Sequence, residues 1–498
     1  MFKKYEKVFR EDYQAWYEEN RDYRERVAKD PRRLWFHLMP ETGWMNDPNG
    51  LCQFHGIYHI YYQYTPFEPT GELKLWGHYT TKDFVHYKKD EPVLFPDSDE
   101  DAHGAYSGSA LIEDDKIHFF YTGNLKYFDR EDYDYINSGR GSNTLTFTSE
   151  NGHDFTQKEL LMTTADYPSD MSNHIRDPKV FKKNGMYYMV LGARDREGTG
   201  MVLLYQSRDL KSWSYKSRIT TEEKFGYMWE CPDLFELDGE TVLISCPQGV
   251  ASRGIDFANV HQCTAMKLSC DFEKDVYEVQ DIQLMDRGFD FYAPQTFLDE
   301  KGRRILIGWM GIPDAAYTNP TTENGWQHAL TIPRKLSMRE GRLVQEPIEE
   351  MKQLRTGEEM VLPFDEQHGI HQNTFVYEAV VEYNQCETME MELRDGVTLS
   401  YGEEILTLDL GKSGAGRDKR QVRVKNLKAL QIFADTSSVE IFVNHGEEVF
   451  TSRIYSMEGK LSIQGRCRGK MTVYSLGKFS IEGGYHEQQT VWNRRSVD

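Results

Sequence analysis

The chain has 498 residues, with 80 acidic against 59 basic side chains and a formal net charge of −21. That length exceeds one ordinary domain and suffices for two cores, and the negative balance argues against nucleic acid or an anionic membrane as partner. Seven scattered cysteines with no CxxC spacing exclude a disulfide framework, a zinc ribbon or a redox pair.

Residues 4–29 predict a helix. Tyr5, Val8, Phe9, Tyr13, Trp16, Tyr17, Tyr23 and Val27 recur at steps of three and four, and Asp30-Pro31 ends the pattern. It is expected to pack on the main domain as an amphipathic extension, which leaves a homo-oligomer contact open. No segment resembles a membrane span, and the first residues lack the apolar core of a signal peptide, so a cytoplasmic protein is expected.

A repeat follows. Five apolar runs begin at Gly56, Lys116, Gly185, Gly239 and Gly302, roughly 55 to 70 residues apart, each dense in β-branched and aromatic residues. Asp47 lies nine residues before Gly56, Asp177 eight before Gly185, and Glu230 nine before Gly239. At the matching points of the other two units stand Ser107 and Ala293-Pro294-Gln295. Five similar all-β units cannot each bury a core alone. Radial packing into a five-bladed β-propeller is the natural solution, with each acid near the start of an innermost strand and the three acids around one mouth of the channel.

Residues 337–360 are polar and read as a connector. From Thr374 onward about eight short alternating strands predict a β-sandwich. The fold class is therefore all-β, with divisions at 1–33 (helical extension), 34–345 (propeller) and 346–498 (linker and sandwich). Gly411-Lys412-Ser413 is not a phosphate loop, because Leu406 stands where its first glycine is required.

Three acids around an axial pocket, with no metal-ligand pattern, point to glycosidic bond chemistry without a cofactor. Two carboxyl groups that differ in protonation are needed. Asp47, beside Asn46, is expected to stay ionised. Glu230 is expected to have its pKa raised by burial and like charge, and Arg176 is expected to keep its neighbour Asp177 ionised.

Several motifs resemble glycoside hydrolase family 32, the β-fructofuranosidases. They are Trp44-Met45-Asn46-Asp47-Pro48-Asn49-Gly50, Trp76-Gly77-His78, Tyr106-Ser107-Gly108-Ser109, Arg176-Asp177-Pro178, Trp229-Glu230-Cys231-Pro232-Asp233 and Asp290-Phe291-Tyr292-Ala293-Pro294-Gln295. The resemblance runs from Trp35 to the C-terminus, including Ser437 to Asn444, and implies the same propeller and sandwich. It also implies Asp47 as nucleophile, Glu230 as general acid/base and Asp177 as transition-state stabiliser, with Asn46, Gln63, Trp76, Ser107, Arg176 and Trp309 lining a fructose subsite. Tyr64-Thr65-Pro66 and Trp326-Gln327-His328 depart from the family pattern on the leaving-group side.

The expected substrate is a small carbohydrate, sucrose or sucrose 6-phosphate. An exo-acting fructan hydrolase, a fructosyltransferase and a carbohydrate-binding propeller without activity are the alternatives. An inverting pentosidase would share the fold and three acids but gives no reason for the whole run from Trp44 to Gly50. A phosphate needs a basic clamp; no compact cluster of arginine and lysine is visible in the sequence, and Arg253 is the single weak candidate.

Overall fold

The structure, a computed structural model, describes residues 7–483. Five antiparallel sheets form the blades of the propeller. Their innermost strands are Gly43–Phe54, Ala105–Glu113, Met171–Lys183, Met228–Leu237 and Tyr292–Leu298. The apolar runs read from the sequence are the second strands, and the glycines ahead of them belong to the hairpin turns. His55-Gly56, Asn184-Gly185 and Asp238-Gly239 each have positive φ at both residues, as do Asp114 and Asp115 in blade 2. These are the two-residue turns whose twist matches that of the strands. The third-to-fourth-strand turns also repeat: in Thr81-Lys82-Asp83-Phe84, Ser149-Glu150-Asn151-Gly152 and Ser207-Arg208-Asp209-Leu210, side-chain oxygens accept from backbone N–H groups two and three residues on.

Every innermost strand has a ladder irregularity near its start. Register shifts fall between Met45 and Pro48, Ala105 and Gly108, Arg176 and Lys179, Glu230 and Asp233, and Tyr292 and Gln295. At each, two residues of the inner strand face one residue of the second, which is a β-bulge. Asp177, Cys231 and Ala293, each followed by proline, have positive φ at the bulge. Proline is tolerated there because the ladder is already interrupted.

Apolar side chains fill the seams between blades. Tyr61, Trp76, Phe119, Tyr121 and Phe147 join blades 1 and 2, and Val190, Leu204, Trp229, Leu243 and Met266 join blades 3 and 4. The ring is closed by Trp326–Gln327, a short segment after blade 5's second strand that pairs in parallel with Gly43 and Trp44. On the outer edge of blade 1, Ser480–Glu482 pairs in parallel with His86 to Lys88.

The predicted single helix is two, Arg10–Glu19 and Arg21–Ala28, broken at Asn20, whose side chain donates to the Trp16 carbonyl. Residues 4–6 of that expectation lie outside the described residues. Tyr13, Trp16 and Tyr17 pack on Leu73, Leu75 and Phe95 of blade 1, while Val27 and Tyr23 pack on Trp326 and Met310 at the closure. Among the described residues no helix is long and apolar enough to cross a membrane.

The polar run 337–360 is not a free connector. Arg334–Arg339 and Arg342–Pro347 are the outer strands of blade 5, and Arg355–Phe364 is the first strand of the sandwich, whose two sheets have six strands each. Their alternating polarity reflects one covered and one wet face. Buried charges lie between propeller and sandwich. Arg417 donates two bonds of 2.7 Å to the Asp290 carboxylate, and His37 bridges Asp435 and Glu440 at 2.8 and 2.9 Å. Removing one partner of such a pair strands the other charge. Arg417→Met is expected to lower stability by about 3–5 kcal/mol, read as a lower denaturant midpoint.

Candidate active site

The bulges place the three acids within two residues of each other in the repeat. Asp47 is the second bulge residue of its strand, Asp177 is the first of its own, and Glu230 stands just before the bulge of blade 4. The next residue, Cys231, ties the group together. Its N–H donates to Asp177 Oδ2 at 2.9 Å, and its sulfur lies 3.6 Å from that oxygen and 3.7 Å from Asp47 Oδ2. Cys231 thus serves the two aspartates rather than its neighbour Glu230.

Both oxygens of Asp47 are held. Asn46 Nδ2 donates to Oδ1 at 2.9 Å, and the Ser107 hydroxyl donates to Oδ2. Asn46 is fixed in turn by the Trp44 indole N–H at 2.7 Å and by Gln63 Oε1. Glu230 accepts from Tyr292 and Gln248 on Oε2, each at 2.9 Å, and pairs with Arg176 Nη2 at 2.8 Å on Oε1. His174 stands 3.7 Å from the same oxygen. Asp177 is anchored through its own N–H to Thr122.

The model of the glycosyl hydrolases family 32 N-terminal domain matches residues 37–347, and that of the family's C-terminal domain matches residues 350–476. The chain belongs to glycosyl hydrolase family 32. It is 36% identical over 477 residues to a sucrose-6-phosphate hydrolase of Staphylococcus xylosus, covering 92% of this chain and 94% of that one. It is 37% identical over 463 residues to that of Bacillus subtilis, covering 89% and 92%. Among solved structures, the sucrose-6-phosphate hydrolase of Lactobacillus gasseri superposes with a TM-score of 0.85 at 28% identity, covering 96% of this chain and 99% of that one. A mutant β-fructofuranosidase of Bombyx mori in complex with sucrose superposes at 0.78 with 27% identity, covering 94% and 99%.

In this family 32 enzyme the charges are arranged differently from the sequence expectation. Burial works to raise Glu230, but the Arg176 guanidinium, with His174 and Tyr292, overrides it and holds the carboxyl down to about 2. Burial pushes Asp177 up to about 7; Arg176 opposes this, and the negative Glu230 and Asp47 add to it. Burial also raises Asp47 against the bonds from Ser107 and Asn46. The physical reason is direction. Arg176 adjoins Asp177 in sequence, yet its guanidinium reaches across to blade 4. The arrangement thus favours charge on Glu230 and disfavours it on the two aspartates.

The other predicted residues divide. Asn46, Gln63, Ser107 and Arg176 all touch an acid or the residue that holds one. Trp76 is fully buried, with its indole N–H donated to the Tyr106 carbonyl at 3.1 Å, so it supports the Ser107 strand from behind. Trp309 packs against Trp44, His328 and Tyr292, and its buried indole N–H has no partner among the described residues. Arg253 hydrogen-bonds through its backbone to Asp256 and lines a groove between blade 4 and the sandwich.

Sequence reasoning missed Gln248, His174, Thr122 and Lys74. Gln248 and Thr122 lie on second strands and come close only through ladder register. Lys74 is buried near Asp47 with its amine 4.8 Å from the Trp44 ring, and burial pulls it down to about 7. It carries no motif.

The raised Asp177 has a consequence for stability. Its ordinary value is 3.8, and its folded value is about 7. Its contribution is therefore fully present below pH 4 and lost as pH rises through about 7, where folding must bury an ionised carboxylate beside two others. Asp177→Asn is expected to stabilise the protein at pH 8 by on the order of 1–2 kcal/mol and far less at pH 5, measured by thermal melts at the two pH values.

Proposed function

We propose that the chain is a retaining β-fructofuranosidase that cleaves sucrose 6-phosphate to fructose and glucose 6-phosphate, and sucrose more slowly. The observation that carries this reading is the convergence of Asp47, Asp177 and Glu230 around Cys231 and Arg176, in a family 32 chain. Its similarity to sucrose-6-phosphate hydrolases over most of both lengths supports the choice of substrate. A phosphorylated sugar does not cross a bilayer unaided, so the reaction is assigned to the cytoplasm.

Asp47, with both oxygens oriented, attacks the anomeric carbon of the fructosyl group. Glu230 gives a proton to the glycosidic oxygen as the carbon–oxygen bond breaks, and the glucose side leaves as an alcohol. Water then donates its proton to Glu230 while its oxygen bonds to the anomeric carbon and releases Asp47. Asp177 holds fructose hydroxyls, and Asn46, Gln63, Ser107, Arg176 and Trp309 line their site.

Glu230 has to gain a proton before the first step. A fructose hydroxyl accepting from Arg176 loosens the ion pair with Glu230, and a hydroxyl donating to Asp177 favours its ionised form. Together these shift the shared proton from aspartate to glutamate, so substrate binding arms the acid.

The phosphate is assigned to Arg140, at the rim of blade 2. Arg140 is 1% exposed, and its Nε and Nη1 have no hydrogen-bond partner among the described residues. Nη2 donates to the Tyr135 hydroxyl, and the guanidinium lies 4.0 Å over the Tyr135 ring. None of its nitrogens bonds to a carboxylate among the described residues, and Glu230 acts on it without a direct contact. An arginine cannot shed its proton, so a buried one without a counterion is costly, and a phosphate would supply the missing anion. The loop 127–139 beside it exposes Tyr127, Phe128, Tyr133 and Tyr135, faces on which the glucosyl ring can stack.

Fructose release from sucrose, sucrose 6-phosphate and inulin tests the reading, with sucrose 6-phosphate expected to have the highest kcat/KM and no release from any of the three overturning it. Asp47→Ala is expected to abolish turnover; wild-type rates in that variant would remove Asp47 from the nucleophile's role. Arg140→Gln is expected to lower the ratio of kcat/KM for sucrose 6-phosphate over sucrose by about 10–100-fold. Equal losses on the two substrates would dismiss the phosphate role.

A further inference from the structure

Away from the channel, three side chains gather at the seam of blades 1 and 2. His78 lies on the third strand of blade 1 and faces Asp90 of the fourth strand in the ladder. His153 comes from the turn after the third strand of blade 2, held by its N–H to Asn151. His78 Nδ1 is 3.5 Å from Asp90 Oδ2, and His153 Nδ1 is 3.6 Å from the same oxygen. All three atoms lie within 4.8 Å of one another.

Two other polar atoms of the cluster are occupied. His78 Nε2 bonds to His59 Nδ1 at 3.1 Å, and Lys88 Nζ bonds to Asp90 Oδ1 at 2.7 Å. What is left over is buried: His78 is 0% exposed, and its Nδ1 and the Asp90 Oδ2 have no hydrogen-bond partner among the described residues. The separation is long for a hydrogen bond. It suits two ligands of one ion, because bonds of about 2.0–2.2 Å in a tetrahedron set ligand atoms roughly 3.3–3.6 Å apart. In the tautomer that gives Nε2–H to His59, Nδ1 turns a lone pair toward a carboxylate oxygen, and a cation between them relieves that opposition.

We propose that His78, Asp90 and His153 bind one divalent late-transition-metal ion, zinc foremost, which ties blade 1 to blade 2. Two imidazoles and one carboxylate suit zinc better than calcium or magnesium, which take oxygen ligands. His78 and Asp90 form the rigid half of the site, one on each of two paired strands. His153, with a side chain 40% exposed, closes the third edge by a swing of its ring and leaves the fourth position to water. The Tyr61 hydroxyl already spans the same seam to the Gly152 carbonyl at 3.0 Å, and its ring stacks on His78 at 4.1 Å. The ion adds a second and stronger tie at that seam. The second bond of His78 to His59 fixes the ring, as the outer partners of metal-bound histidines do.

The test uses the full chain, stripped with a chelator and equilibrated with zinc alone. Elemental analysis is expected to find about one zinc per chain, cobalt in its place is expected to give visible d–d absorption, and excess zinc is expected to raise Tm by a few degrees. His153→Ala, at an exposed turn position that leaves the core untouched, is expected to weaken zinc binding by about 100-fold and to lose the Tm rise. Asp90→Asn is expected to do the same. Zinc well below one equivalent in the wild-type protein, or His153→Ala binding zinc as tightly as wild type, would overturn the proposal.

Discussion

An innermost propeller strand has two conflicting tasks: to stay hydrogen-bonded to its neighbour along its length, and to turn a polar side chain out of the pleat into the channel. The bulge resolves the conflict. By setting two residues against one, it frees Asp47, Asp177 and the segment after Glu230 from strict alternation while the ladder resumes on either side. Asp177 and Cys231 hold positive φ there at some conformational cost, and the proline after each removes a donor that the broken ladder has no use for. Everything else in the site is arranged around that irregularity. The Cys231 N–H, which an unbroken ladder would use, is given to Asp177.

Once three carboxylates share a buried space, their protonation is a property of the group. Two partners of opposite preference set it. Arg176 selects Glu230 and stabilises its charge, so the cost of crowding falls on the aspartates. An empty site with an ionised Glu230 is poorly prepared to donate a proton. A sugar that competes for Arg176 prepares it, so recognition and acid catalysis would be coupled through a single guanidinium.

The architecture was legible in the sequence because repetition is a global signal: five apolar runs, three acids ahead of them and short turns at regular intervals. Asp47 and Ser107 were legible for the same reason, whereas Asn46 and Gln63 were legible only through the family resemblance. Direction was not. Arg176 stands beside Asp177 in the chain, yet its side chain reaches Glu230, and no one-dimensional pattern records which blade a long side chain crosses to. Gln248 and Thr122 reach the site through pairing register, which is settled only when strands meet, whereas His174 shares the strand of Asp177 but lies in no motif. The alternating outer strands of blade 5 read as a connector, since a wet face dilutes the apolar period on which a strand assignment rests. The N-terminal helix is divided at Asn20, which has left the helical region of φ and ψ and whose side chain and backbone N–H both donate to the Trp16 carbonyl.

Arg140 and Arg176 illustrate how the same residue type is given different work by its surroundings. Both lie near the mouth, and each repels the other. Arg176 has Glu230 at 2.8 Å, so its charge is balanced within the protein. Arg140 has a tyrosine hydroxyl and two nitrogens without an acceptor among the described residues, so an anion arriving from outside would pair with it directly. A neutral disaccharide would leave that charge as it stands, and a phosphorylated one would compensate it. Discrimination between the two would then come from relieving a strain present in the empty protein, as well as from new hydrogen bonds to the phosphate. This separates the leaving-group side from the fructose side, where each of the three carboxylates already has its hydrogen-bond donors before substrate binds. The Trp309 indole N–H, packed against Trp44 and Tyr292, is idle there too, but it is neutral, and burying a neutral donor costs far less than burying a charge without its counterion.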